Sequence, residues 1–145
     1  MNVNIQSTVF NDRIGALLQS NHLPISDIEA GTEVFLFVAC STQQPSGVVG
    51  IQIFGTTALL RSLVVSESER GKGLGAALVY HAEQHAASLG ISSIYLLTTT
   101  AVKFFEAHGY STTSRNDAPA SIAGSSQFSS LCPSSSEFMV KVLRA

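Results

Sequence analysis

Residues 57–89 constrain the fold more than any other stretch of this chain. A strand-like run, Ala58-Leu-Leu-Arg-Ser-Leu-Val-Val65, passes through Ser66-Glu-Ser-Glu-Arg70 into Gly71-Lys-Gly-Leu-Gly75, and an apolar-periodic helix follows. Three glycines at alternate positions are costly at a helix start unless their conformational freedom is used. They let backbone come close to a ligand. The first N–H groups of the helix lack intrahelical partners and sit at the positive end of its dipole. An anion satisfies both features. The stretch reads as a cradle for the pyrophosphate of a cofactor.

Composition narrows the rest. A length of 145 residues predicts a single domain, 1–145, with a sizeable core. A hydrophobic content of 45% with 12% charged residues excludes a disordered chain. A net charge of −2 gives no electrostatic case for nucleic acid or an anionic membrane, and the weakly charged surface leaves room for a homodimer. Residues 1–7 show neither a basic n-region nor an apolar h-region, and the longest apolar run, residues 34–40, suits a buried strand. The expectation is a cytoplasmic protein without a metal. Cys40 and Cys132 fit no metal spacing, and neither do His22, His81, His85 and His108. Cys40 is expected to be buried on its strand, and His81 and His85 to face solvent.

Alternation and turn residues predict strands at residues 3–7, 34–40, 48–54, 58–65, 93–98, 110–113 and 138–143. Helices are predicted from Asn11 or Asp12 to about Asn21, over 73–89 and over 101–108, with Gly90 and Gly109 as stops. Leu74, Leu78, Ala82, Ala86 and Leu89 form the core-facing stripe of the long helix. Residues 114–136 read as a long ordered loop. The three strands from 34 to 65 form an antiparallel meander. The helix between strands 58–65 and 93–98 favours parallel pairing of those two. The fold class is therefore α+β: a mixed, mainly antiparallel central sheet of six to seven strands flanked by helices. A parallel splay between strands 58–65 and 93–98 leaves a cleft.

Two motifs carry a family resemblance. Arg70-Gly-Lys-Gly-Leu-Gly75 matches the R-x-x-G-x-G/A signature of the GNAT N-acetyltransferase superfamily, and Phe104-Phe-Glu-Ala-His-Gly-Tyr110 resembles its second motif. Leu59-Leu-Arg-Ser-Leu-Val-Val65, Leu96-Leu-Thr-Thr-Thr-Ala101 and Phe128-Ser-Ser-Leu-Cys-Pro133 are similar to a bacterial subgroup associated with arsenic resistance. The resemblance implies acetyl transfer from acetyl-CoA to a small primary amine, with an amino-acid-like or arsenic-related toxin as the candidate, by direct attack in a ternary complex. It places the pyrophosphate on Arg70, Gly71, Lys72, Gly73, Leu74, Gly75 and Ala76, and the rest of the cofactor along Leu63, Val65 and Phe104. The Val65 amide N–H would polarise the thioester carbonyl. Residues 71–76 also formally match a dinucleotide fingerprint. Five residues separate Val65 from Gly71, however, and no acid follows the next strand to bind a ribose.

The chain departs from the family pattern at Phe105, where many relatives carry a tyrosine that protonates the leaving thiolate. Cys132, Thr99 and Thr100 are the substitutes at hand, and a non-catalytic CoA-binding or sensing module is the alternative function. Arg61 and Ser62 interrupt an apolar strand, and strict alternation puts Arg61 on one face with Leu63 and Val65. Arg61 is either a clamp for a substrate carboxylate or the partner of an internal acid, with Glu33, Glu67 and Asp117 the candidates. Ser62, Thr99 and Thr100 join it as substrate-site candidates. Glu67 and Glu69 read as solvated turn carboxylates.

Overall fold

The computed structural model describes residues 4–40, 45–125, 127–128 and 136–143. In chain order the elements are β1 (Ile5–Thr8), α1 (Asp12–Ser20), α2 (Ser26–Glu29), β2 (Phe35–Cys40), β3 (Pro45–Phe54) and β4 (Thr57–Val65). A 3₁₀ turn (Glu67–Glu69) leads to α3 (Leu74–Ser88), β5 (Ser93–Thr98), α4 (Val102–Ala107) and β6 (Ser111–Thr112). A second 3₁₀ turn (Arg115–Asp117), α5 (Ala120–Ala123) and β7 (Glu137–Val142) complete the series. The strands form one seven-stranded sheet in the order β1-β2-β3-β4-β5-β7-β6, antiparallel except for the β4–β5 pair.

Local signals account for most boundaries. The Asn11 side chain accepts a hydrogen bond from the Ile14 N–H at 3.0 Å, which caps α1. Gly90 follows α3 at φ 81, and the Ile91 N–H closes back onto the Ala86 carbonyl at 3.1 Å. The sheet then separates two apolar layers. Helix α3 covers one face with Leu74, Leu78, Val79, Ala82 and Ala86, packed against Phe37, Val49, Ile51 and Leu60. On the other face Ile14 and Leu18 of α1 pack on Val48 and Val64. Beside them Ile122 of α5 packs with Leu59 and Phe138.

Four expectations need correction. Leu89 is not part of the core stripe but is 51% exposed, because α3 ends at Ser88 and the chain turns there; Val79 takes a core place instead. Cys40 is exposed, since the pairing register shifts between Ala39 and Cys40 at the strand end. His81 and His85 are half-buried rather than solvent-facing. Their rings pack on Phe37 at 4.7 and 5.1 Å, and burial, with the neighbouring His85, lowers the His81 pKa. Most consequential is β4, where alternation fails. Arg61 pairs with Gly50 and Val64 with Val48, so Ser62 and Leu63 both oppose Val49. Ser62 adopts φ 57, the mark of a bulge. Past it, Leu63 and Val65 pack with Leu60 on the α3 face, whereas Val64 joins the α1 cluster. Arg61 therefore does not share a face with Leu63 and Val65.

Candidate active site

The bulge falls where β4 leaves β5. The parallel pairing covers only Thr57, Ala58 and Leu59 against Ser93, Ile94 and Tyr95. Beyond it the strands diverge around a cleft of ≈ 430 Å³, within the range of small-molecule sites. One wall is Leu60, Arg61, Ser62 and Leu63; the facing wall is Leu96, Leu97 and Thr98. Thr99, Thr100, Ala101 and Phe105 close one end, and His22, Leu23 and Pro24 of the α1–α2 loop close another. Arg61, Ser62, Leu63, Thr99 and Thr100 all line this cleft. A smaller recess of ≈ 60 Å³ continues from the cleft between Arg61, Leu97 and Gln127.

Arg61 is buried, and its guanidinium is spent on an acid. Nη1 and Nη2 both donate to the Asp27 carboxylate, the latter at 2.9 Å. Nε donates to the Ser62 hydroxyl at 3.2 Å, and Nη1 also reaches the Gln52 amide oxygen at 3.4 Å. Of the two readings of Arg61, the geometry meets the internal pair, but with Asp27 in place of Glu33, Glu67 or Asp117. The pair carries a clear electrostatic signature. Burial opposes ionisation of Asp27, yet the hydrogen bonds and charge of Arg61, with the Ile28 N–H, outweigh it and hold the pKa below the ordinary 3.8. Glu67 is exposed as expected, whereas Glu69 is half-buried and lies 3.6 Å from the Lys72 ammonium.

The glycine turn has the shape an anion needs. Gly71 and Gly73 adopt φ 82 and 83, and a Cβ built on either would meet nothing within 4 Å. Gly73 caps α3 without any side-chain cap, and the Ala77 N–H is bonded to the Gly73 carbonyl. The N–H groups ahead of Ala77 in the first turn of α3 are thus the ones a phosphate would satisfy, with no acidic residue in that turn to repel it. Gly75 faces inward: its Cβ position is 3.5 Å from the Phe104 ring and 3.7 Å from Val65 Cγ2. Leu74 is buried, so only its backbone can serve a ligand, while Lys72 and Arg70 are exposed. Arg70 binds the chain rather than projecting freely. Its Nε donates to the Val65 carbonyl at 3.0 Å and its Nη2 to the Asn21 side-chain oxygen at 2.8 Å.

Phe104 stands T-shaped to Phe105, their ring centroids 5.1 Å apart. Phe105 is 5% exposed and lines the cleft. The tyrosines nearby are otherwise engaged. Tyr95 stacks on Phe138. Tyr110 is buried and donates to Glu83 at 2.9 Å; burial first, then the Glu83 charge and bond, raise its pKa far above the phenol value. Lys141 completes that cluster, 3.0 Å from Glu83. Cys132 lies outside the described residues. Among the described residues no group of three or more His, Cys, Asp or Glu could hold a metal ion, and no helix is long and apolar enough to cross a membrane.

Sequence reasoning missed Asp27, Asn21 and the α1–α2 loop as parts of this site. Asp27 sits 34 positions from Arg61 in a four-residue helix, and Asn21 49 positions from Arg70. The one signal available was an acid between Ile25 and Ile28, in a segment too short to show a period.

The chain matches the family model for the GNAT acetyltransferases over residues 8–110. No curated protein sequence matches it. Solved structures share its fold at low identity. N-acetylglutamate synthase from Neisseria gonorrhoeae, complexed with coenzyme A and N-acetyl-glutamate, superposes with a TM-score of 0.82 at 19% identity. All of this chain is covered, but only 36% of that protein's length. A GNAT-family acetyltransferase from Staphylococcus aureus gives 0.78 at 17% identity, covering 97% of this chain and 100% of the other. The ribosomal-protein-S18-alanine N-acetyltransferase of Escherichia coli gives 0.73 at 16%, covering 99% and 96%.

Proposed function

This chain belongs to the GNAT acetyltransferase family, and on that premise we propose that it transfers an acetyl group from acetyl-CoA to a small primary amine seated in the β4–β5 cleft. The observation that carries the reading is one adjacency. An open glycine turn at the start of α3 follows, through one short 3₁₀ turn, the bulged strand that lines the cleft. Residues 71–76 hold the pyrophosphate through their N–H groups, and the backbone of Leu63 and Val65 pairs with the pantetheine arm. The Val65 N–H is the donor placed to stabilise charge on the thioester oxygen. The amine attacks directly within a ternary complex, with Ser62, Thr99 and Thr100 as polar contacts along the walls.

The acceptor class follows from the lining. Leucines 23, 60, 63, 96 and 97 with Phe105 make the cleft mostly apolar, and Arg61 enters it already neutralised by Asp27. An amine with an apolar body fits better than a free dicarboxylate. Likeness to the arsenic-resistance subgroup supports adding amino-acid-like and arsenic-bearing amines to the acceptor panel, with Cys132 as the thiol to test against them. A homodimer in the cytoplasm is consistent with the low surface charge. Phe105 favours a second reading, a CoA-binding module without turnover, because no hydroxyl stands where relatives carry their acid.

Calorimetry with acetyl-CoA followed by a thiol-release assay across the amine panel tests both. The expected result is acetyl-CoA binding and turnover with at least one apolar amine. Absence of acetyl-CoA binding refutes the transferase reading; binding with no turnover on any amine transfers the case to the CoA-binding module.

A further inference from the structure

Acetyl transfer to an amine needs something to take a proton, since an ammonium has no lone pair to attack with. The hydroxyls along the cleft, Ser62, Thr98, Thr99, Thr100 and Ser136, are not bases near neutral pH, and Arg61 stays charged. Glu67 and Glu69 stand in the turn outside the cleft lining. Among the described lining residues, His22 carries the imidazole, the side chain most often used to accept a proton in catalysis.

The backbone around His22 is held in an unusual way. Helix α1 ends at Ser20 with Asn21 as its C-terminal cap, and His22 adopts φ 60, a left-handed turn that glycine ordinarily supplies. Its N–H donates to the Gln19 carbonyl at 3.0 Å, and the next N–H, of Leu23, to the Leu18 carbonyl at 3.0 Å. Asn21 donates from Nδ2 to the Leu17 carbonyl at 2.9 Å and accepts from Arg70 at 2.8 Å. Arg70 in turn holds the Val65 carbonyl. The loop that presents His22 to the cleft is thereby tied to the end of β4, where the thioester would lie. The charged groups on the elements around it are Arg61 with its partner Asp27, Arg70 beyond Asn21, and Asp12, Arg13 and Glu29 on the flanking helices α1 and α2.

We propose, resting on the transferase reading, that His22 is the proton acceptor of the reaction. The acceptor ammonium gives one proton to the His22 imidazole. The freed nitrogen lone pair adds to the thioester carbonyl carbon and a C–N bond forms. The C–S bond then breaks with its electron pair on sulfur, the thiolate takes the second nitrogen proton, and His22 releases its proton to solvent. This ordering needs no tyrosine at the position of Phe105.

The test uses the full chain and the amine with the highest thiol release. His22→Gly suits φ 60, so the fold and acetyl-CoA affinity are expected to persist, checked by melting and calorimetry. The variant should lose on the order of 10²-fold in kcat/KM for the amine, the usual scale of a lost general base. Added imidazole should restore activity in His22→Gly and leave wild type unchanged. His22→Asn, which also tolerates a left-handed backbone, should lose the acidic limb of the kcat/KM profile. Wild-type rates in both variants overturn the proposal, as does a uniform loss with the acidic limb intact and no imidazole rescue. A wild-type chain that releases no thiol from any amine overturns it together with the transferase reading, and so differs from failure of His22 alone.

Discussion

Removing the carboxylate of Asp27 should cost this protein a large share of its stability. In Asp27→Ala the Arg61 guanidinium, whose side chain is 2% exposed, loses its bonds to both carboxylate oxygens. Only the Ser62 hydroxyl at 3.2 Å and the Gln52 oxygen at 3.4 Å remain to it. Breaking a buried pair by deleting one partner costs about 3–5 kcal/mol, because the other charge stays buried and uncompensated. Against a typical total of about 5–15 kcal/mol that is a major fraction. At about 2–4 °C per kcal/mol for a chain of this size, Tm should fall by about 6–20 °C. Urea denaturation of wild type, Asp27→Ala, Arg61→Met and the double variant forms the cycle. The double variant should recover much of the loss, since it buries no charge. Acid titration gives an independent check. The lowered carboxyl pKa of Asp27 contributes stability that is present above the ordinary 3.8 and is lost as pH falls through the lower native value. Asp27→Asn should therefore show a flatter fall in stability across that acid range. A loss below about 1 kcal/mol in Asp27→Ala, the scale of an exposed pair, would refute the buried-pair account. So would a stable Arg61→Ala variant whose main defect is a raised acceptor KM, which would return Arg61 to the role of a substrate clamp.

Three further outcomes follow from the same geometry. Gly73→Asp should abolish acetyl-CoA binding in calorimetry, through charge conflict with the pyrophosphate and about 1–2 kcal/mol of strain at φ 83; retained affinity would move the cofactor elsewhere. Gly75→Ala should leave the urea midpoint unchanged or raised, because its Cβ reaches only ordinary contact with Phe104 at 3.5 Å, whereas Gly47→Ala should lower it, its Cβ meeting Leu78 Cδ1 at 2.8 Å and the Val64 carbonyl at 3.0 Å. Tyr110→Phe should cost about 1 kcal/mol in the same assay, since Glu83 keeps Lys141 at 3.0 and 3.2 Å, and Lys141→Met should cost more by leaving the Glu83 carboxylate without its cation.

What the sequence made legible was whatever a short window decides. Asn11 caps α1, Gly90 stops α3, and β5 runs over the six residues that alternation picks out. The glycine turn was readable for the same reason: φ 82 and 83 at Gly71 and Gly73 are what a chain spends glycine on. The misses depend on distant partners or on one irregular residue. Nothing near Arg61 announces Asp27, and nothing near Arg70 announces Asn21. His81 and His85 are four apart on a helix, a spacing that fixes a shared face but not which face. They pack on Phe37 because α3 lies across β2, a fact of the sheet's assembly rather than of the helix. Alternation along β4 failed at a single step, since a period of two carries no warning of a bulge.

That single step organises the site. Without the bulge at Ser62, strict alternation along the same sequence would turn Arg61 to the α3 face with Leu63 and Val65, and its guanidinium would lie in an apolar layer. With Ser62 at φ 57, Arg61 lies on the side of α2 and meets Asp27, while Leu63 and Val65 keep their places under α3. The bulge also comes three residues after the last β4–β5 pair, Leu59 with Tyr95, so the strands have separated by the time Ser62 is reached. The bulge thus sets two things: that Arg61 buries its charge on the face opposite Leu63 and Val65, and how the backbone of those two residues stands relative to the cleft. Deleting Ser62 should then do more than remove a hydroxyl. It should remove the bulge while alternation through Leu60, Arg61, Leu63, Val64 and Val65 keeps every face, so the expected readout is cooperative unfolding with altered acetyl-CoA affinity. Ser62→Gly, which suits the same φ, should fold like wild type and keep acetyl-CoA binding. If the deletion binds acetyl-CoA as wild type does, the bulge does not set how the backbone of Leu63 and Val65 meets the cofactor.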